Sequence, residues 1–222
     1  MPVPVLVGQR AQAPMSLAQM IDICASYVRS DGPEVRGICA NGINMAIRDL
    51  NKRHWYWSLT FQDIVTAQRA DFDLASDYDG FRSAQLYDTN NNPAGRLNWL
   101  DPQTFWDTYN VSTTPGDPCH CTVDSPESTL MLTLNCIPTA AWVAKYPKIR
   151  LRYYRLVPTL ENESEAIAYV PPSVQNYVLW YGMYFACLNF DPEGNRLTAA
   201  MGEKERLWTA LGAKNTSYNF SD

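Results

Sequence analysis

The chain has 222 residues, 46% of them hydrophobic and 18% charged, and a net charge of −5 at neutral pH. The acidic balance and the lack of a Lys/Arg run argue against a protein that reads nucleic-acid sequence, and no apolar run is long enough for a membrane span. Few charges and abundant Trp and Tyr favour a surface that another subunit covers, although a Trp-rich core explains the aromatic residues equally well.

The first predicted elements are an extended arm and two helices. Residues 1–15 contain three prolines and no helical period, which indicates an extended N-terminal arm. Ser16 and Gln19 have the spacing of a capping box at the start of the first helix. A Gly-Pro break at 30–33 starts the second helix, so 16–53 is expected to form an antiparallel helix hairpin.

Residues 57–156 are expected to form an inserted, mostly antiparallel β block, because aromatic and β-branched residues replace helix formers after His54. Strands are predicted at 58–67, 81–87, 96–100, 118–124, 129–137 and 148–155. Asp101 and Pro102 predict the start of a short helix between two of them. In the last strand apolar residues alternate with polar ones, so one face should be core and the other should meet solvent or a partner.

Two further long helices are predicted within 172–212, followed by a polar tail. The fourth helix is expected to end near residue 211, and residues 213–222 to form a flexible C-terminal tail. The predicted fold is therefore α+β: an antiparallel bundle of about four long helices, two N-terminal and two C-terminal, with the β block inserted. Residues 16–212 are expected to form a single domain.

The six cysteines are expected to be reduced, because no secretory signal precedes them. Cys24, Cys39 and Cys187 lie in apolar helical patterns and should be buried. The sequence Cys119-His120-Cys121 is only half of a zinc site, and no second pair completes it. Cys119 and Cys121 are instead expected to share one face of a strand.

The chain lacks recognisable catalytic chemistry. His54 and His120 are its only histidines, and neither lies in a known motif. The phosphate-binding loop, the zinc-protease motif and the nucleophile elbow are all missing from the sequence. We therefore predict no catalytic, cofactor-binding or metal-binding residues and no enzyme activity, although a glycosidase pair of carboxylates stays open because such residues need closeness only in space.

Five segments together resemble the head-to-tail adaptor (connector) proteins of tailed bacteriophages, of the podovirus-type tail adaptor or tail tubular protein A kind. They are the helix segment 43–50, the Trp-rich segment 54–57, the strand segment 151–155, the approach 169–172 and the helix 177–190. The resemblance covers residues 16–212 in the order and type of elements. Residues 101–124 depart from it, since they are longer and richer in Cys and aromatic residues.

The resemblance implies a virion neck protein that is assembled in the bacterial host cytoplasm. Its expected partners are the portal protein, a downstream tail or nozzle protein, and further copies of itself in a ring of twelve. Double-stranded DNA would pass through the ring without sequence-specific binding. In this family a C-terminal segment often inserts between portal subunits, which here assigns docking to Tyr218, Asn219 and Phe220. Asp77 and Asp79 are candidates for acidic residues that face the DNA channel.

Two other hypotheses stay open. Another neck or tail-tube component, such as a tail terminator, would be favoured by a mostly β architecture with few helices. A cell-wall (peptidoglycan) hydrolase would be favoured by two carboxylates lining a cleft of sugar size.

Overall fold

A computed structural model describes residues 13–109, 114–125, 129–167 and 169–219. The chain divides into two compact units. The helical unit comprises Met1–Trp57 and Val157–Asp222, and the β unit comprises Ser58–Leu156. Most of the predicted N-terminal arm, residues 1–12, lies outside the described residues.

The described residues form six α-helices and nine β-strands, with one 3₁₀ turn at Tyr56–Ser58. The helices are α1 (Leu17–Val28), α2 (Pro33–Leu50), α3 (Pro102–Thr108), α4 (Ala140–Lys145), α5 (Pro172–Phe190) and α6 (Asn195–Asn219). The strands are β1 (Leu59–Val65), β2 (Asp71–Asp73), β3 (Tyr78–Tyr87), β4 (Pro93–Trp99), β5 (Pro115–Gly116), β6 (His120–Asp124), β7 (Met131–Leu134), β8 (Ile137–Pro138) and β9 (Lys148–Arg155).

Local sequence signals set several helix ends. The Ser16 hydroxyl accepts a hydrogen bond from the Gln19 backbone, and the Gln19 side chain accepts one from the Ser16 backbone, which confirms the predicted capping box. Asp101 caps α3 through the backbone N–H of Thr104 at 3.0 Å, as its position before Pro102 predicts. These ends form because side chains replace the hydrogen bonds that the first turn of a helix lacks.

The helical unit is organised around α5, which contacts α1, α2 and α6. Gly42 and Gly182 allow α2 and α5 to approach closely. A Cβ atom at Gly42 would lie 2.7 Å from the Cβ of Phe185, and one at Gly182 would lie 3.0 Å from both Cys24 Sγ and Ile43 Cγ1. The crossing of these helices therefore requires glycine at both positions, because a close-packed core leaves no room for an added methyl group.

The β unit is built on a seven-stranded mixed sheet with the strand order β1-β9-β3-β4-β6-β7-β2. Its neighbours pair antiparallel except β4 and β6, which pair in parallel. The side chain of Gln62 on β1 donates to the carbonyl oxygen of Asp73 at 3.2 Å and accepts from the backbone N–H of Ala75 at 3.0 Å. The two outermost strands are thereby brought together, so the sheet curls around its buried face.

The buried face of the sheet carries a second hydrophobic core. Its largest members are aliphatic and aromatic side chains from all parts of the sheet, including Phe72, Leu97, Leu132, Ile149 and Leu151. Trp142 on α4 also belongs to this cluster. The alternation predicted in β9 is confirmed, because Ile149, Leu151 and Tyr153 are buried while their neighbours in sequence are not.

The predicted architecture is wrong in one main respect. The sequence predicts a bundle of about four long helices with an inserted, mostly antiparallel β block, whereas the described chain has six helices and a large, curled, mixed sheet. Helix α4 and the short strands β2 and β5 were not predicted from the sequence. These elements are two to six residues long, too short for hydrophobic periodicity to reveal.

Candidate assembly surfaces

Two of the three predicted docking residues, Tyr218 and Asn219, lie at the end of the C-terminal helix. Helix α6 continues to Asn219, whereas the sequence predicts its end near residue 211. Asn215 holds this part of the helix: its side chain donates to the carbonyl oxygen of His54 and accepts from the backbone N–H of Tyr56, each at 2.9 Å. Tyr218 and Asn219 follow three and four residues later in the same helix, and Phe220 lies outside the described residues.

Aromatic side chains pack α6 against the 54–57 segment and against α5. Trp55, which the sequence placed in the Trp-rich segment, is 2% exposed and donates from its indole Nε1 to the carbonyl oxygen of Leu50 at 2.8 Å. Its ring meets Trp208 of α6 edge to face, with centroids 5.5 Å apart, and Trp208 packs on Tyr177 of α5. Part of the aromatic content therefore belongs to the core.

The two acidic candidates for the channel lie together at the start of β3. Asp77 is half-buried and accepts a hydrogen bond from the hydroxyl of Tyr153 at 2.8 Å, and its carbonyl oxygen accepts from the backbone of Leu156. Asp79 is half-buried in the strand itself. The Asp77 carboxylate thus has a structural contact inside the β unit.

The outer side of the sheet carries a set of cations whose proximity was not predicted from the sequence. The register places Arg152 beside Phe61, Arg150 beside Asp63, and Lys148 beside Val65. Gln85 of β3 lies beside Arg150 in one direction and beside Arg96 of β4 in the other. We call Arg96, Lys148, Arg150 and Arg152 the arginine face. Its members alternate with the buried residues of the same strands.

Asp63 is the carboxylate paired within this face. The Arg150 guanidinium binds it through Nε at 2.6 Å and Nη2 at 2.8 Å, and Lys148 lies 3.5 Å from it. The hydrogen bonds from Arg150 hold the pKa of Asp63 below its ordinary value. Arg96 and Arg152 are exposed, and neither forms an ion pair within the described part of the chain. The arginine face therefore keeps unneutralised positive charge.

A cleft of about 360 Å³ lies on the arginine face, and Arg96, Arg150 and Arg152 all line it. The Arg150 guanidinium lies 4.5 Å from the ring centroid of Phe61 and 4.9 Å from that of Tyr87. Phe61 is 57% exposed. Guanidinium groups bind carboxylates and phosphates through paired hydrogen bonds, and stacking on aromatic rings orients them for this. The chemistry of the cleft is that of anion binding.

The opposite half of the sheet is acidic. Strands β6, β7 and β2 contain Asp124, Asp71 and Asp73 and no Lys or Arg. Asp73 and Asp124 flank Met131 in the register, on the side away from the buried row of Phe72 and Leu132. We call Asp71, Asp73 and Asp124 the acidic half. The indole of Trp106, which is 46% exposed, donates to Asp124 at 2.8 Å.

The exposure of the cysteines confirms the prediction for the helices. The prediction for the strand that contains Cys121 is wrong. Cys24, Cys39 and Cys187 are buried. Cys119 and Cys121 do not share a face: β6 begins at His120, Cys121 is fully buried, and Cys119 is exposed. Burial raises the pKa of Cys121 to about 12. The Cys119 Sγ lies 3.1 Å from the Nδ1 of His120, which also contacts the hydroxyl of Tyr109.

Neither a metal cluster nor a membrane helix is found in the described ranges. They contain no group of three or more His, Cys, Asp or Glu side chains placed to hold a metal ion. No helix within them is both long and apolar enough to cross a membrane.

A signal for the arginine face was present in the sequence. Alternation in β9 predicted that Arg150 and Arg152 share a side that meets solvent or a partner. Arg96 could not be added to them, because its position beside Gln85 and Arg150 follows from strand pairing between distant segments. The proximity of Asp73 and Asp124 could not be predicted for the same reason, because both lie beside Met131 only through strand pairing.

Comparison with known proteins gives one family. No curated protein matches the chain. The family model described as "SU10 adaptor protein" matches residues 15–220, nearly the whole chain. This match confirms the resemblance to phage head-to-tail adaptors. The chain therefore belongs to the SU10 adaptor protein family and is a bacteriophage adaptor, a structural component of the virion.

Proposed function

We propose that the chain forms a ring, of twelve copies, that binds beneath the portal protein and connects the phage head to the tail. The observation that carries this proposal is the family match over residues 15–220. The ring would meet a downstream tail or nozzle protein on its other side and would form part of the DNA channel. Assembly would take place in the host cytoplasm. The adaptor family is one of structural proteins and not of enzymes, which favours this function over a cell-wall hydrolase.

Portal docking is assigned to Tyr218, Asn219 and Phe220. Asn215 supports this assignment, because its two hydrogen bonds fix the last turns of α6 to the 54–56 segment. The docking residues begin three positions after this anchor, so the segment that contains them starts from a fixed point. A segment that becomes ordered on binding has a smaller entropic cost when one end is already held.

DNA passage is proposed to occur without sequence-specific binding. Each copy has a net charge of −5, so a ring of copies repels phosphate groups on average and lets DNA slide. Asp77 and Asp79 are proposed to face the channel. The hydrogen bond from Tyr153 to Asp77 would hold that carboxylate in place.

The test is the mass of the purified chain, alone and mixed with the portal protein of the same phage. We expect a defined multi-copy complex on mixing. A variant lacking residues 216–222 keeps Asn215 but loses all three docking residues, so it should lose portal binding while its thermal unfolding stays unchanged. Arg48→Ala on α2 is exposed and serves as the control that should bind normally. If the full-length chain does not bind the portal protein, the proposal is contradicted.

A further inference from the structure

The β unit separates its charges between the two halves of one sheet. Strands β1, β9, β3 and β4 contain six cations and two carboxylates, Asp63 and Asp79. The cations are Lys148, Arg150, Arg152 and Arg155 in β9, Arg82 in β3 and Arg96 in β4. The three neighbouring strands β6, β7 and β2 contain three carboxylates and no cation. A soluble surface normally mixes the two signs, so this separation calls for a partner.

Within the described part of one chain, the cations of the arginine face do not pair with the carboxylates of the acidic half. Arg96 and Arg152 form no ion pair within the described residues, and the Asp73 carboxylate has no side-chain hydrogen bond there. The curl of the sheet, which Gln62 fixes by bridging β1 and β2, turns the outer sides of the two halves in different directions. Complementary surfaces that point apart can meet only between two molecules.

Each half also exposes a large aromatic side chain beside its charges. Phe61 lies against the Arg150 guanidinium, and Trp106 donates to Asp124. They are 57% and 46% exposed. Interfaces between proteins are enriched in such aromatic and arginine side chains. Both halves thus combine an apolar anchor with a charge of definite sign.

We propose that the arginine face binds the acidic half of the sheet in a second copy of this chain. The contact joins two different surfaces, so it is heterologous, and a heterologous contact generates a ring when its rotation closes. The inference rests on the proposed function, which requires a ring, and it names the surfaces that join neighbouring subunits. Arg96 and Arg152 donate to the partner's carboxylates, while Asp63 keeps Arg150 oriented beside them.

Charge reversal tests the contact. Arg96→Glu with Arg152→Glu should weaken self-association at least tenfold, and Asp71→Lys with Asp73→Lys should do the same. A mixture of the two double variants should restore association, because the reversed face of one then matches the reversed half of the other. Asp73→Lys alone replaces the second variant if loss of the bond between Asp71 and Thr133 disturbs folding.

The control changes the same charge elsewhere. Arg29→Glu with Arg48→Glu alters two exposed cations of the helical unit and leaves the sheet untouched. It should associate like the unaltered chain. Complex masses would be measured by sedimentation at low and at physiological salt, for the full-length chain alone and in the presence of the portal protein.

The outcomes separate this inference from the proposed function. Portal binding with the same copy number in every variant overturns the inference and leaves the proposed function standing. Self-association that follows the charges without portal binding supports the inference and contradicts the proposed function. A chain that stays monomeric both alone and on the portal, or a mixture that does not restore association, also overturns the inference.

Discussion

Asn51 at the C-cap of α2 donates a hydrogen bond to the carbonyl oxygen of Val157 at 2.8 Å and accepts one from the backbone N–H of Val157 at 2.9 Å. Asn44, on the same helix, makes the same pair of bonds with Leu160 at 2.9 and 2.8 Å. Two amide side chains thus replace a β-strand as the backbone partner of this segment. They satisfy backbone groups that would otherwise lose their hydrogen bonds on burial.

We expect Asn51→Ala to lower the free energy of unfolding of the helical unit by about 1–3 kcal/mol, because it leaves a half-buried donor and acceptor unpaired. Urea unfolding followed by tryptophan fluorescence measures the change. Asn189→Ala is the control, since its side chain makes one exposed bond within α5. Equal effects of the two substitutions would show that the hydrogen bonds between Asn51 and Val157 contribute no more to stability than an exposed bond does.

We expect Gly42→Ala to destabilise the chain by about 1–3 kcal/mol, because the new Cβ would overlap Phe185 and push α2 from α5. Gly37→Ala on the same helix has open space around it and should stabilise the chain by about 0.5–1 kcal/mol through helix propensity. Thermal unfolding of both variants measures the difference. A destabilising Gly37→Ala or a neutral Gly42→Ala would contradict the proposed close approach.

The ion pair between Asp63 and Arg150 predicts a pH dependence of stability. The hydrogen bonds from Arg150 lower the pKa of Asp63 in the folded state, so its contribution is complete above the unfolded pKa of about 3.9. It is lost as the pH falls through the lower, folded-state pKa. Asp63→Asn should therefore be less stable than the unaltered chain at pH 7, and the difference should shrink below about pH 4.

Urea unfolding at pH 7, 5 and 3 measures this dependence. Asp107→Asn removes an exposed carboxylate that accepts a hydrogen bond from the side chain of Gln103, and it should change stability little at any pH. A difference between Asp63→Asn and the unaltered chain that stays constant down to pH 3 would be inconsistent with the ion pair.

Thiol labelling distinguishes the cysteines. We expect Cys119, which is exposed, to react first with a thiol reagent at pH 8, and Cys136, which is half-buried, to follow more slowly. Cys24, Cys39, Cys121 and Cys187 are buried and should react only after unfolding, in particular Cys121, whose pKa of about 12 keeps it protonated. Cys119→Ser should remove the fast phase. A fast phase that persists in this variant would place another thiol at the surface.

Local signals were readable in the sequence because they depend on neighbours along the chain. The capping box of Ser16 and Gln19, the start of α3 after Asp101 and the alternation in β9 all depend on residues within a few positions of each other. The family resemblance was readable for a related reason. It rests on the order and type of such elements, and the match over residues 15–220 confirms it.

Long-range pairing was decided only by the tertiary structure. The parallel pairing of β4 with β6 and the closure through Gln62 join segments whose contact no local pattern encodes. Arg96 joins Arg150 and Arg152 for the same reason, since strand register determines which side chains share a face. The sequence by itself determined the starts of α1 and α3, the alternation in β9 and the family. The fold determined how charges scattered along an acidic chain are gathered into one basic and one acidic half of a sheet.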